Sequence, residues 1–226
     1  MVPHINVAID GPAGAGKSTV ARKLAEKLGN PYIYVDTGAL YRGITYQAQK
    51  YDVDIQDQEQ VLALAEQMKM DFDSDYRLWI DGVLRAEEIR TPEVSRNVSI
   101  VAAYAGIRQY VLEFLKQLAM DGGVVMDGRD IGMYVLPNAE VKIFLTASID
   151  ERAARRMAEL QGKNYALDIE TMKKEIQERD DLDTGREISP LVQAPDAILI
   201  DTTNLQIDEV VEKIYEICRR SMRDAQ

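Results

Sequence analysis

The chain has 226 residues, of which 46% are hydrophobic and 29% are charged, and its formal net charge is -11. This length and composition are typical of one or two globular domains with a sizeable core, and they exclude collagen-like, low-complexity and disordered chains. The excess of acidic residues argues against a nonspecific nucleic-acid binder, because such a protein needs a basic face. A small anionic ligand is compatible with this charge, since local basic clusters can bind phosphate.

Targeting and redox signals favour a soluble, cytoplasmic protein. No apolar run approaches the length of a membrane span, and the first residues lack the basic region of a signal peptide. The single cysteine, Cys218, cannot form an internal disulfide, which suits a reducing compartment. The acidic charge and the lack of an exposed heptad pattern favour a monomer.

Five short apolar runs predict the strands of a buried sheet. They are Ile5–Ile9, Tyr32–Val35, Val124–Met126, Val141–Leu145 and Ala197–Ile200. Their nearly continuous hydrophobicity is typical of strands covered on both faces. Helical stripes lie between them, such as Val20, Leu24 and Leu28. Because strands alternate with helices, we predict an α/β fold with a five-stranded parallel core sheet and helices on both faces.

Two segments interrupt this alternation, and we predict that they are insertions within a single domain of residues 1–226. The first, Thr37–Asn97, has no core strand but contains a helical stripe and a small antiparallel unit. Its strands and turns are predicted at Lys69–Asp73, Ser74-Asp75, Tyr76–Ile80 and Asp81-Gly82. The second, Arg152–Arg186, is charged and helical, with a turn at Gly162–Asn164. Extra elements on an α/β core often serve as lids.

A glycine-rich segment between the first strand and the first helix predicts a phosphate-binding loop. Residues 11–18, Gly-Pro-Ala-Gly-Ala-Gly-Lys-Ser, match the pattern G-x-x-x-x-G-K-[ST] in the expected strand–helix context. The glycines let backbone N–H groups face an anion, and the helix N-terminus adds positive partial charge. Lys17 can reach the β- and γ-phosphates, and the Ser18 hydroxyl can bind Mg²⁺. The motif predicts a nucleoside triphosphate with magnesium, but it does not separate a kinase from a GTPase switch or an ATPase.

Arginines outside this loop favour phosphoryl transfer, because a transferase must neutralise charge on both donor and acceptor. Arg42 follows the second strand, and Arg129 follows the third in Asp127-Gly-Arg-Asp130, where ligands of open parallel sheets bind. The second insertion begins and ends with further arginines, namely Arg152, Arg155, Arg156, Arg179 and Arg186. Spacing alone would also allow the first three to form a solvated helix face. Asp36 and Asp127, which follow strands, are both candidates to orient water molecules on Mg²⁺.

Six motifs along nearly the whole chain carry a family resemblance. They are Gly11-Pro-Ala-Gly-Ala-Gly-Lys-Ser-Thr19, Val35-Asp-Thr-Gly-Ala-Leu-Tyr-Arg42, Met126-Asp-Gly-Arg-Asp-Ile-Gly132, Val141-Lys-Ile-Phe-Leu145, Glu151-Arg-Ala-Ala-Arg-Arg156 and Glu178-Arg-Asp-Asp181 through Arg186. In order and spacing the chain resembles the bacterial cytidylate kinases. The resemblance implies a P-loop nucleoside monophosphate kinase fold, with a monophosphate-binding insertion near residues 37–97 and a lid near 152–186.

The resemblance also implies roles for individual residues. ATP phosphates would be held by Gly11, Pro12, Ala13, Gly14, Ala15, Gly16, Lys17, Ser18 and Thr19, with Ser18 as the metal ligand. The CMP phosphate would be bound by Thr37, Arg42, Arg129 and Arg186, the ribose by Asp183, and the cytosine edge by Ser99, Arg108 and Asp130. The catalytic cations would be Lys17, Arg129 and the lid residues Arg155, Arg156 and Arg179.

The activity implied is ATP- and Mg²⁺-dependent phosphorylation of CMP and dCMP by direct in-line transfer, within pyrimidine nucleotide metabolism. Two alternatives share the phosphate-binding loop. A GTPase switch would carry an N-K-x-D guanine motif, which the sequence lacks, and would need no arginine-rich lid. A kinase of another small hydroxyl compound would lack the paired phosphate and base contacts that the resemblance assigns. We therefore expect small nucleotide partners, and neither nucleic acid nor a membrane.

Overall fold

The computed structural model describes residues 4–160 and 168–224, in which eight strands and eight α-helices follow one another along the chain. The strands are β1 (Val7–Asp10), β2 (Ile33–Asp36), β3 (Met70–Phe72), β4 (Leu78–Ile80), β5 (Val83–Leu84), β6 (Val124–Gly128), β7 (Val141–Thr146) and β8 (Ile198–Asp201). The helices are α1 (Lys17–Leu28), α2 (Thr37–Lys50), α3 (Gln58–Gln67), α4 (Pro92–Val101), α5 (Ala105–Leu118), α6 (Ile149–Leu160), α7 (Ile169–Thr184) and α8 (Ile207–Asp224).

Five of these strands form the main sheet in the order β2-β6-β1-β7-β8. Every neighbouring pair in that sheet is parallel, so the predicted five-stranded parallel core is confirmed. The register places Asp10 opposite Gly128, and Asp36 opposite Asp127. The carboxyl ends of β1, β2 and β6 therefore meet at one edge of the sheet, which is where open α/β folds bind ligands.

The central strands of the sheet are buried on both faces because their alternate residues pack against different helices. The edge strand β8 differs from the expectation of double burial, since Ile198 and Leu199 are exposed. In β1, Ala8 belongs to a cluster that includes α2 and α5 residues, whereas Val7 and Ile9 join a cluster with α1 and α8. All four residues of β1 and all five of β6 are buried. This double burial explains why the strands are apolar at nearly every position.

The first insertion contains the small antiparallel sheet that the sequence predicted, in the order β3-β4-β5. Met70 pairs with Ile80, and Phe72 pairs with Leu78. Leu78 and Ile80 lie so close to α2 that a Cβ on Gly43 would be 2.9 Å from each side chain. Both belong to the same hydrophobic cluster as Ala8 of the main sheet. This shared cluster supports the predicted single-domain organisation.

The second insertion is built around α6 and α7, which pack on each other and on the phosphate-binding loop. Ala13 of the loop, Ala153 of α6, and Met172 and Ile176 of α7 form a small buried cluster. The turn predicted at Gly162–Asn164 lies outside the described residues.

In the described ranges no single helix is long and apolar enough to cross a membrane. Only α4 and α5 taken together reach that length and hydropathy, and they are bent by 98° to each other. Their apolar residues Val98, Val101, Ile107 and Val111 are buried in the protein core.

Candidate active site

The loop between β1 and α1 has the geometry that anion binding needs. Gly11, Gly14 and Gly16 all have positive φ, and a Cβ on Gly11 would lie 2.0 Å from the carbonyl oxygen of Leu145. No side chain caps the start of α1 at Gly16, so its first N–H groups are available to an anion. Lys17 is buried, and its Nζ donates to the carbonyl of Pro12 at 2.8 Å.

The Ser18 hydroxyl lies against a carboxylate that could support a bound magnesium ion. Ser18 Oγ donates to Asp127 Oδ2 at 2.8 Å, and the Tyr34 hydroxyl donates to Asp127 Oδ1 at 2.7 Å. Burial and the nearby Asp36 raise the pKa of Asp127. No group of three or more His, Cys, Asp or Glu side chains in the described residues could hold a metal. Hydroxyl and carboxylate oxygens fit Mg²⁺, which usually binds through one or two protein oxygens, phosphates and water.

Asp36, the other candidate to orient metal-bound water, forms ion pairs with two arginines. Its carboxylate accepts from Arg42 at 2.7 Å and from Arg90 at 2.9 Å, and also caps α2 through the N–H of Ala39 at 2.9 Å. Burial acts to raise the pKa of Asp36, but these two arginines hold it below its usual range. Of the two aspartates, Asp127 therefore has the contact with Ser18, and Asp36 fixes Arg42.

Thr37 begins α2, and its Oγ1 donates to the backbone carbonyl of Asp127 at 2.7 Å. This hydrogen bond joins the first turn of α2 to the end of β6. Thr37 and Arg42 are thus held at the same sheet edge by Asp127 and Asp36. The geometry brings together the two insertion residues that were expected to bind an acceptor phosphate.

Asp183 of α7 is buried between two arginines that come from different elements. Its Oδ2 accepts from Arg129 Nε at 2.7 Å, and its Oδ1 pairs with Arg186. Burial acts to raise the pKa of Asp183, but both guanidinium groups hold it below the usual range. Because each oxygen already accepts from an arginine, a ribose hydroxyl would have to share this carboxylate. Asp183 thus ties α7 to the end of β6.

Arg108 and Asp130 form a buried ion pair beside a small cavity. Arg108 also donates to the carbonyl of Ala102 at 3.0 Å, and its guanidinium lies 5.7 Å from the ring centre of Tyr41. The cavity has a volume of about 80 Å³. Its lining includes Tyr41, Arg108, Asp130, Tyr134 and Ile188. Burial raises the pKa of Asp130, although Arg108 opposes that effect.

Ser99, the third residue expected at the base, lies on α4 and is half-buried. It is not among the residues that line the cavity beside Arg108 and Asp130. The described part of the chain therefore brings two of the three expected base contacts together.

Arg152 lies behind the phosphate-binding loop and holds it in place. Its guanidinium pairs with Asp180 of α7 and donates to the carbonyl of Ala13 at 3.0 Å. The Ala13 N–H in turn donates to Asp180 at 3.0 Å. Both charged side chains are buried. The pair thus links both lid helices to the loop, and the solvated helix face considered from spacing is wrong for Arg152.

Arg155, one of the expected catalytic cations, is hydrogen-bonded to other residues of the protein. Its guanidinium donates to Thr202 Oγ1 at 2.9 Å and to the Thr202 carbonyl at 2.7 Å, and pairs with Glu151 at 2.9 Å. All of its nitrogens are therefore engaged near the loop that follows β8. Arg156 pairs with Glu159 on the helix surface at 2.9 Å, with 38% of its side chain exposed.

Arg179 is the lid arginine that lies near Lys17 and Arg129, two of the cations expected to bind phosphate. Burial and the neighbouring Arg129 lower its pKa to about 10. Burial, Arg129 and Arg179 also lower the pKa of Lys17, to about 7. Within residues 4–160 and 168–224, Arg179 has no ion pair with a carboxylate. Lys17, Arg129 and Arg179 thus lie close enough together for their positive charges to oppose one another.

Some buried side-chain donors in this region have no hydrogen-bond partner among the described residues. Among the described residues, buried side-chain polar atoms without a hydrogen-bond partner occur at Arg42, Gln47, Arg85, Arg108 and Arg179. Three of these five are residues that the sequence assigned to the site. Buried polar groups in proteins nearly always have partners, so unpaired Nε donors on Arg42, Arg108 and Arg179 point to absent ligand oxygens or nitrogens.

Two contacts of the site were not predicted from the sequence. Arg90 binds Asp36 from the short 3₁₀ turn Glu88–Arg90, 54 residues further along the chain. The Tyr34 hydroxyl binds Asp127 from within β2. The only available signal for Arg90 was an arginine inside the insertion, and for Tyr34 a polar hydroxyl in an otherwise apolar strand.

Comparisons with known proteins agree with this geometry. The model of the cytidylate kinase family matches residues 7–220. This chain belongs to the cytidylate kinase family. It is 54% identical over 221 residues to a cytidylate kinase of Bacillus licheniformis, with 96% of this chain and 97% of the relative covered.

A cytidylate kinase of Desulfitobacterium hafniense is 48% identical over 219 residues, covering 96% of this chain and 94% of the relative. Among solved structures, an uncharacterized protein from Eubacterium ventriosum has a TM-score of 0.51 at 16% identity, covering 96% of this chain and 99% of that protein. That last likeness supports the fold alone.

The lowered pKa of Lys17 in this cytidylate kinase family member predicts proton uptake when phosphates bind. With a pKa of about 7, the free amine is mostly neutral at pH 8 and mostly protonated at pH 6. Bound phosphates favour the ammonium form. A non-hydrolysable ATP analogue with Mg²⁺ should therefore take up close to one proton at pH 8, and much less at pH 6.

Calorimetry in buffers of different ionisation enthalpy measures this uptake. The variant Lys17→Met controls for titration of the nucleotide itself and should lose the pH-dependent part. Equal uptake at both pH values in the unsubstituted protein would contradict a depressed pKa at Lys17.

Proposed function

We propose that the protein transfers the γ-phosphoryl group of ATP to the phosphate of CMP or dCMP, forming ADP and CDP or dCDP. The observation that carries this proposal is that two features lie at one edge of the sheet. The first is the phosphate-binding loop together with a cluster of buried, incompletely paired cations, which suits the phosphates of a donor and an acceptor. The second is the cavity with the Arg108–Asp130 pair, which suits a base with both donors and acceptors.

The donor would be held by Gly11, Pro12, Ala13, Gly14, Ala15, Gly16, Lys17, Ser18 and Thr19. Lys17 supplies positive charge to the β- and γ-phosphates, and the backbone N–H groups of the loop surround them. When bound, Mg²⁺ neutralises charge on the same phosphates. Ser18 would be its protein ligand. Asp127 would accept a hydrogen bond from the Ser18 hydroxyl and orient coordinated water.

The acceptor would be held by residues from three elements. Thr37, Arg42, Arg129 and Arg186 are the proposed contacts of its phosphate, Asp183 of its ribose, and Arg108, Asp130 and Ser99 of its base. Asp36 and Asp183 orient Arg42, Arg129 and Arg186 before substrate arrives. Binding then requires little rearrangement of the cations, which lowers its entropic cost.

Transfer would need no general base. A phosphate oxygen of the acceptor is already anionic at neutral pH, so it can attack the γ-phosphorus while the bond to the bridging oxygen of ADP breaks. The contribution of the protein is alignment of these atoms and stabilisation of charge on the transferred group. Lys17, Arg129 and Arg179 are the cations whose mutual proximity supports that role.

The proposal extends to the setting in which the protein works. One cysteine, an acidic net charge and no membrane-length apolar run support action as a cytoplasmic monomer on small nucleotides. Neither nucleic acid nor a membrane surface is proposed as a partner.

An ADP-release assay with ATP and Mg²⁺ tests the proposed acceptor. CMP and dCMP should give the highest kcat/KM among CMP, dCMP, UMP, AMP and GMP. A purine is larger than the pyrimidine that the site is proposed to hold, and UMP would oppose the carboxylate of Asp130. Robust turnover with AMP or GMP but not with CMP would contradict the proposed acceptor.

A comparison of lid arginines tests which cation acts on the transferred group. Arg179→Met should lower kcat on the order of a hundredfold or more, because it removes a buried cation that has no ion pair with a carboxylate among the described residues. Arg155→Met should lower kcat less than about tenfold, since its guanidinium already binds Thr202 and Glu151. Steady-state kinetics with saturating ATP and CMP gives both values. A larger loss of kcat in Arg155→Met would instead support a catalytic role for Arg155.

Substitution of Asp130 tests base recognition. A carboxylate pairs with the 4-amino group of cytosine but opposes the 4-carbonyl of uracil, whereas an amide can turn its donor end towards uracil. Asp130→Asn should therefore narrow the CMP/UMP ratio of kcat/KM at least about tenfold, equivalent to about 1.4 kcal/mol. Asp196→Asn, a largely exposed carboxylate bound to Lys142, is the control and should leave the ratio unchanged. If the ratio also stays constant in Asp130→Asn, this residue does not contact the base.

A further inference from the structure

Asp10 is a buried carboxylate to which neither the loop motif nor phosphate binding assigns a role. It ends β1, directly before Gly11, and only 4% of its surface is exposed. Its two oxygens accept separate backbone hydrogen bonds, Oδ1 from the N–H of Ile131 at 2.8 Å and Oδ2 from the N–H of Gly132 at 2.7 Å. No cationic side chain in the described ranges forms an ion pair with it.

The two N–H groups begin a π-helical turn, Ile131–Val135, whose N-cap residue is Asp130. An aspartate at an N-cap normally uses its own carboxylate to accept from the N–H groups of the first turn. Asp130 makes no such bond, and its carboxylate pairs with Arg108 instead. Its backbone carbonyl still accepts from the N–H of Tyr134 at 2.9 Å, so only the side-chain part of the cap is missing.

We propose that Asp10 is a positioning residue for base recognition, which caps this turn in place of Asp130 and so leaves the Asp130 carboxylate free to hold Arg108 and contact the base. The inference rests on the proposed function, because it gives Asp130 the role of contacting cytosine. Asp10 lies 121 residues away in sequence from the turn that it caps.

Competition for one carboxylate is the physical basis of this role. Two buried N–H groups need acceptors, and so does the buried guanidinium of Arg108. An N-cap carboxylate ordinarily accepts from the N–H groups of the second and third residues of the turn, so the N–H of Gly132 is the group that Asp130 and Asp10 could both bind. With Asp10 absent, this N–H group would draw Asp130 towards the ordinary capping position and away from Arg108, and the N–H of Ile131 would lose its acceptor.

Local packing is adapted to the approach of Asp10. A Cβ on Gly132 would lie 3.4 Å from Asp10 Oδ2 and 3.3 Å from Cδ of Lys142, so glycine gives the turn room against the strand. Burial raises the pKa of Asp10 to about 6. The carboxyl is therefore ionised at pH 8, where both of its oxygens can accept.

The variant Asp10→Asn tests the proposal. An amide has one accepting oxygen, so one of the two N–H groups would face an NH₂ donor. At pH 8 the CMP/UMP ratio of kcat/KM should narrow at least about fivefold, with a rise in KM for CMP that exceeds the fall in kcat. A defect confined to the phosphate-binding loop would change KM for ATP and leave the ratio as it was.

Asp57→Asn is a matched control, because Asp57 caps α3. There one oxygen, Oδ1, accepts from the N–H groups of both Glu59 and Gln60, at 3.1 and 3.0 Å. An asparagine keeps that oxygen, so Asp57→Asn should leave the ratio unchanged. A ratio in Asp10→Asn equal to that of the unsubstituted protein would overturn the inference.

Hydrogen exchange of the unsubstituted protein decides the case if Asp10→Asn does not fold. The N–H groups of Ile131 and Gly132 should exchange as slowly as those of β1, and exchange at the rate of exposed loops would overturn the inference. Failure of the proposed function looks different, since the unsubstituted enzyme would then not prefer CMP to UMP, whatever these two N–H groups do.

Discussion

The carboxylate of Asp127 connects the parts of the site that bind different substrates. Asp127 is the penultimate residue of β6, the strand between β1 and β2, and its two carboxylate oxygens accept from Ser18 at the start of α1 and from Tyr34 in β2. Its backbone carbonyl accepts from Thr37 at the start of α2. The start of α1 and the start of α2 are thus both hydrogen-bonded to one residue. This arrangement exists only because a parallel sheet places its strand ends side by side.

Charge is distributed within the molecule in a way that its net value conceals. The chain is strongly acidic overall, yet Arg129 lies close enough to Lys17 and Arg179 to lower the pKa values of both. Repulsion between buried cations costs folding free energy, and Asp183 offsets part of it by pairing with Arg129 and Arg186. The remaining positive charge is available to phosphates, whose binding would remove the repulsion.

The fold and the donor side of the site could be predicted from the sequence because they depend on local patterns. Doubly buried strands must be apolar throughout, and a phosphate-binding loop needs glycines at fixed spacing before a lysine. The contacts of Arg155 could not be predicted because a helical position specifies a face of the helix, not which partner lies opposite. That partner, Thr202, comes from a loop 47 residues away. The role proposed for Asp10 could not be predicted either, because its carboxylate accepts two hydrogen bonds from a turn that only the folded sheet brings near.

Arginines in and around the site differ in how far their donors are used. Arg152 and Arg155 bind carboxylates, carbonyls and a hydroxyl, and both hold backbone segments in place. Among the described residues, Arg42, Arg108 and Arg179 each keep a buried Nε without a partner, as does Arg85 outside the proposed site.

Folding leaves such donors unpaired only at a cost in free energy. A ligand that satisfies them recovers that cost on binding, so the same defect that weakens the free protein strengthens the complex. For Arg42 and Arg108 the carboxylates of Asp36 and Asp130 hold the guanidinium in orientation while leaving Nε free. Asp36 and Asp130 would therefore act on a bound ligand partly through the arginines that they fix, which gives carboxylates a role in a site proposed to bind anions.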